Sequence, residues 1–130
     1  MIKLFIGGKG SGKTKTLIEM VNTATKESNG AVVCIEKGDK LRYDIKYQAR
    51  LVNTKEYMID DAQSLYGFVA GILASNHDVT DLFIDGALKI ANNDMNGFEA
   101  FVKGMLVAPG VEGDSTYEPY LTTDFKQWVL

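Results

Sequence analysis

Gly7-Gly8-Lys9-Gly10-Ser11-Gly12-Lys13-Thr14 stands between a short β-rich run, Ile2-Lys3-Leu4-Phe5-Ile6, and a segment with helical periodicity. The octapeptide satisfies G-x-x-x-x-G-K-[ST], the pattern of a phosphate-binding loop, in the strand-to-helix setting that its chemistry requires. Glycines let the backbone curl so that successive N–H groups point inward as an anion nest. The helix beginning near Gly12 adds the positive end of its dipole. Lys13 supplies a point charge for the β- and γ-phosphates, and the Thr14 hydroxyl is the expected protein ligand to Mg2+. The expected nucleotide cradle is therefore Gly7, Gly8, Lys9, Gly10, Ser11, Gly12, Lys13, Thr14 and Lys15. The alternative is a glycine-rich turn that binds nothing, but average residue usage yields such a string in only about 0.5% of chains this long.

Working outward, Leu17, Val21 and Ala24 recur at three- and four-residue spacing from Thr14 onward, until Ser28-Asn29-Gly30 ends the helix. Ala31-Val32-Val33-Cys34-Ile35 is apolar without alternation, as in a parallel strand covered on both faces, and completes a βαβ unit. Residues 37–48 interleave Leu41, Tyr43, Ile45 and Tyr47 with polar groups and are assigned to neither helix nor loop; residues 49–53 read as a short strand. Asp60 with Gln63 resembles a capping box, after which Leu65, Phe68, Val69, Ile72 and Leu73 share a helical face that Ser75-Asn76-His77 closes. Leu82-Phe83-Ile84-Asp85 is a strand ending on a carboxylate, with Gly86 next. Asn96 and Glu99 then cap a helix carrying Phe98, Phe101, Val102 and Met105. Strands alternating with helices predict an α/β domain on a mostly parallel sheet flanked by helices.

Length and composition fit one domain: 130 residues, 45% of them hydrophobic, can bury one modest core. Residues 106–130 hold both prolines, Pro109 and Pro119, and read as an irregular C-terminal segment, with 120–123 and 127–130 faintly strand-like. Seventeen acidic against 14 basic side chains give a formal charge of −3, which exerts no global pull on nucleic acid or membrane. The single cysteine, Cys34, lies in an apolar run and reads as structural. No membrane span and no signal-peptide core are expected, which points to a cytoplasmic setting.

A triphosphate site needs a carboxylate from a neighbouring strand end to support Mg2+ through water, and Asp85 fits that second motif. Hydrolysis also needs a group that orients the attacking water. Glu36 ends the second strand and is the candidate, against the plainer reading of a charged residue opening an exposed loop. The expected catalytic set is Lys13, Glu36 and Asp85; Thr14 and Asp85 are the expected metal ligands. Lys37, Lys40, Arg42, Lys46 and Arg50 form the one basic cluster, with Tyr43 and Tyr47 interleaved and Asp39 and Asp44 diluting it. It reads first as a solvated amphipathic face, and second as a dock for nucleic acid or a neighbour's nucleotide. His77 has no cysteine or second histidine to make a metal site and reads as surface. Tyr117, Tyr120 and Trp128 read as packing residues.

The order of phosphate loop (Walker A), helix, strand ending at Glu36, short strand, helix and Phe83-Ile84-Asp85-Gly86-Ala87-Leu88 (Walker B) resembles the RecA-like division of P-loop ATPases. To about Ile90 the chain is similar to short stand-alone bacterial P-loop proteins labelled twitching-motility-type ATP-binding proteins. The acidic and histidine-containing boxes of pilus-retraction motors are missing. The resemblance implies a three-layer, RecA-like P-loop NTPase fold with ATP at Gly7 to Thr14 and metal support from Asp85.

These readings converge on an Mg·ATP-binding protein with slow ATPase activity that couples nucleotide state to a protein partner or to homo-oligomerisation. One alternative is a small nucleotide or metabolite kinase, for which no basic lid is found. Another is a non-hydrolysing nucleotide sensor or structural protein. A GTPase would need Asn-Lys-x-Asp, which Asn53-Thr54-Lys55-Glu56 only loosely echoes.

Overall fold

Side chains of one central strand enter two different cores, and that alternation sets the layering. In a computed structural model, which describes residues 4–5, 13–107 and 128–129, the elements run as follows. Strand β1 is Leu4–Phe5, α1 Lys13–Glu27, β2 Ala31–Glu36, β3 Ala49–Asn53, α2 Ala62–Ser75, β4 Val79–Ile84, α3 Ala87–Ile90, α4 Met95–Val107 and β5 Trp128–Val129. Val32 and Cys34 of β2 pack with Leu17 and Val21 of α1. Val33 and Ile35 of the same strand join Leu65 and Val69 of α2 and Phe98, Phe101 and Val102 of α4. This is the period-two geometry of a strand buried on both faces.

The three-stranded sheet has the order β3–β2–β4 and is parallel throughout, with Glu36 beside Asn53 and Ile35 beside Ile84. A separate parallel pair joins β1 to β5, with Leu4 beside Trp128 and Phe5 beside Val129. The architecture is thus α/β, a small open parallel sheet with helices on both faces. Helices follow β1, β3 and β4, and β3 has the predicted bounds, but β1 pairs with β5 and not with β2, so among the described residues the predicted βαβ unit does not share one sheet. Most of the predicted C-terminal segment, including Tyr117 and Tyr120, lies outside the described residues, as do Gly7, Gly8, Lys9, Gly10, Ser11 and Gly12.

Helix starts differ from expectation by one residue at α2 and by two at α4. The capping box of α2 is formed by Asp61 and Ser64, not Asp60 and Gln63: the Asp61 carboxylate accepts from Ser64 N at 2.7 Å, and Ser64 Oγ accepts from Asp61 N at 3.2 Å. A cap residue must be extended while the helix carries its apolar face inward. Asp61, at φ −148°, meets both needs with Leu65 and Val69 buried. Helix α4 likewise begins at Met95, with Phe98 N donating to the Asp94 carbonyl, so Asn96 lies inside the first turn instead of capping it. Helix α3 had no sequence signal; Gly86 opens it at φ +70°, a left-handed conformation that suits glycine.

The connection from β2 to β3 crosses the α1 face without a helix. Leu41 and Ile45 substitute for a crossover helix by burying themselves against Leu17 and Val21. Asn22 of α1 holds the segment from the side, donating from Nδ2 to the Asp44 carbonyl and accepting from Lys46 N, both at 2.9 Å. At the other end of the sheet β2 and β4 begin so close together that a Cβ on Gly30 would overlap the Asp78 carbonyl oxygen. That carbonyl accepts from Ala31 N at 2.7 Å.

Candidate functional site at the carboxyl edge of the sheet

Parallel strands bring their C-terminal ends to one edge, where open α/β sheets bind ligands. Here that edge collects Glu36 from β2, Asn53 from β3 and Asp85 immediately after β4. Helix α1 starts against it, with Lys13 as its first residue and Thr14 next. Thr14 Oγ1 donates to Asp85 Oδ1 at 3.4 Å, joining residues 71 positions apart. The backbone of Asp85 is fixed by its N–H, which donates to the Ile35 carbonyl at 2.8 Å. Two hard oxygen groups therefore converge on the N-terminus of a 15-residue helix. Lys15 and Thr14 are exposed, and Asp85 is half-buried.

Glu36 is almost fully buried, at 2% exposure. Its Oε2 accepts from Leu41 N at 3.0 Å, which ties the edge of the sheet to the crossing segment. Burial pushes its carboxyl above the ordinary range, repulsion from Asp85 and Asp39 adds to the rise, and backbone hydrogen bonds from Leu41 and Lys40 oppose it. The structure thus brings Glu36 within electrostatic reach of Asp85, and at the same time engages one of its oxygens in holding a loop. The exposed loop-opening residue that was the plainer reading is not what is found.

Sequence reasoning missed two positioning residues. Asn53 Oδ1 accepts from Gly38 N at 2.9 Å and from Lys55 N at 3.0 Å, and so caps the 3-10 turn Thr54–Tyr57. Asn22 is the other, and neither carries a signal beyond the preference of asparagine for bonding nearby backbone. Cys34 is buried and burial raises its thiol to about 12, so it stays a neutral packing group, as expected. His77 is exposed.

Among the described residues no group of three or more His, Cys, Asp or Glu side chains is arranged to hold a metal by protein ligands alone. Hydroxyl plus carboxylate instead suits a hard cation that keeps waters and takes other oxygens from a phosphate. A concavity of about 530 Å3 lies further along α1, lined in part by Glu19, Glu27, Asp81 and Phe83. Its carboxylates make it unsuitable for a polyphosphate. Among the described residues no helix is long and apolar enough to cross a membrane. Comparison with known proteins found no matching family model, no matching curated protein and no matching solved structure.

Proposed function

We propose that the chain is a P-loop protein of the RecA-like type that binds Mg·ATP at the carboxyl edge of its sheet and hydrolyses it slowly. The observation that carries this reading is the meeting of the Thr14 hydroxyl with the Asp85 carboxylate at 3.4 Å across 71 residues. Each was selected from sequence for a separate half of one metal site.

In this reading Thr14 and Asp85 would hold the cation, Lys13 would neutralise the outer phosphates, and the glycine-rich sequence from Gly7 to Gly12 would supply backbone N–H groups for the remainder. Mg2+ would supply charge neutralisation of the phosphate oxygens during transfer to water. Glu36, whose Oε2 accepts from Leu41 N, is the residue that would orient the attacking water. Because Glu36 links the edge to residues 37–48, the state of the nucleotide is communicated to that segment and to whatever it touches.

A second reading, binding without turnover, draws on the same hydrogen bond, since a carboxylate committed to Leu41 N is a loop anchor first. The two separate on one assay. Purified chain with ATP and Mg2+ should release phosphate to water, EDTA should abolish the release, and Glu36→Gln should slow it at least tenfold. Binding with no phosphate release selects the sensor; phosphate transferred to an added nucleoside selects a kinase. Absence of binding with Mg2+ present contradicts all three.

A further inference from the structure

Residues 37–50 carry five basic and two acidic side chains within a chain of net charge −3, and both of its arginines lie there. Two tyrosines of this stretch stand almost wholly in water: Tyr43 is 85% and Tyr47 92% exposed. Single exposed aromatics need no explanation. Two, four residues apart on a segment whose Leu41 and Ile45 are buried, are different, because the same backbone that turns two apolar side chains inward presents two aromatic faces outward.

The segment is also held before any ligand arrives. Leu41 N is bound by Glu36, Gly38 N by Asn53, and Asp44 and Lys46 by Asn22. Ordering entropy that a flexible loop would lose on binding has already been lost in folding. Arg42 lies over the Tyr43 ring at 4.9 Å and reaches Asp39 at 3.7 Å. Lys37, Lys40 and Lys46 make no ion pair among the described residues and are all exposed.

We infer that residues 37–48 form a single-stranded nucleic-acid platform, on which unpaired bases stack on Tyr43 and Tyr47 while Lys37, Lys40 and Lys46 hold the backbone phosphates. Stacking faces interleaved with unpaired cations match the chemistry of an unpaired strand, whose bases are accessible and whose phosphates repeat. A duplex hides its bases, and this segment has no helix to enter a groove. The inference does not depend on the nucleotide reading, so its test is run without ATP.

The probe is a fluorescein-labelled 20-nucleotide oligothymidylate, followed by anisotropy at 50–200 mM NaCl, with a labelled duplex of equal length beside it. The chain should bind the single strand more tightly than the duplex. Tyr43→Ala/Tyr47→Ala should weaken binding at least tenfold with an unchanged melting temperature, since both side chains are exposed. Lys40→Ala/Lys46→Ala should lower the slope of log affinity against log salt by about 1.4, about 0.7 for each phosphate no longer neutralised. This second pair keeps the test decisive if the tyrosine variant fails to fold. No binding of the oligonucleotide at 50 mM NaCl overturns the inference, as does binding that neither variant alters. Self-association in sedimentation that Tyr43→Ala/Tyr47→Ala abolishes, without oligonucleotide binding, would assign the surface to a second copy of the chain instead.

Discussion

The two faces of the three-stranded sheet are built differently. Among the described residues, 14 buried side chains form the cluster under α2 and α4, and eight form the one under α1. The larger cluster draws on two long helices, α3 and the turn before α2, and contains none of the candidate site residues. The smaller one depends on a single helix and on Leu41 and Ile45 of the crossing segment. Thr14, Asn22 and the exposed tyrosines all belong to this thinner side. The larger buried cluster thus lies on one face and the candidate site residues on the other, so the two should respond separately to mutation.

Leu65 on the thick face is fully buried, and Leu65→Ala should cost about 2–5 kcal/mol. Denaturant unfolding should show a large fall in the midpoint, while Mg·ATP affinity of the protein that remains folded is unchanged. Val21, equally buried on the α1 face, loses less hydrocarbon in Val21→Ala, about 2 kcal/mol, but should weaken nucleotide binding as well because α1 carries Thr14. Equal effects of both substitutions on binding would erase the distinction between the faces.

Glu36 joins the thin face to the sheet edge, and two substitutions there should diverge. Glu36→Ala leaves Leu41 N–H without its acceptor and should destabilise by about 1–3 kcal/mol in thermal or denaturant unfolding. Glu36→Gln keeps an acceptor, removes repulsion with Asp85, and should leave stability at pH 7 equal or higher. The carboxyl titrates above its ordinary value of 4.5 in the folded chain, so the unfolded chain releases this proton first. Its contribution to stability is therefore full below pH 4.5 and declines as pH rises through the folded value. Glu36→Gln should remove that decline, and a variant with the wild-type pH profile would show that Glu36 is not the group responsible.

The smallest effect is expected at Asp61, which caps α2 on the thick face. Its carboxyl is held below the ordinary 3.8 by hydrogen bonds from the Ser64 side chain and backbone. Here the sign is opposite: stability is present above about pH 4 and is lost as pH falls through the folded value. Asp61→Asn, which caps without ionising, should flatten unfolding midpoints across that acid range.

Much of the fold was legible because its signals are local. The unbroken apolar run 31–35 announced a strand buried on both faces, and Leu17, Val21, Leu65 and Val69 announced two helical faces. Asp85 was legible because a strand ending in a carboxylate before glycine places that group at the sheet edge. The crossing segment was illegible since its order comes from partners distant in sequence: Asn22, Glu36 and Asn53 each satisfy backbone groups that local pattern leaves unassigned. The burial of Glu36 was hidden for the same reason. The capping box was misplaced by one residue because Asp60 and Asp61 are equivalent as sequence, and only the inward direction of Leu65 and Val69 chooses between them.

Calorimetric titration of Mg·ATP into the wild-type chain, Lys13→Ala and Asp85→Asn decides whether this edge of the sheet binds a nucleoside triphosphate. One site per chain is expected, with no detectable binding by Lys13→Ala and binding to Asp85→Asn that is at least tenfold weaker and insensitive to Mg2+. Wild-type affinity in Lys13→Ala, or Mg2+ dependence that survives in Asp85→Asn, would contradict that assignment.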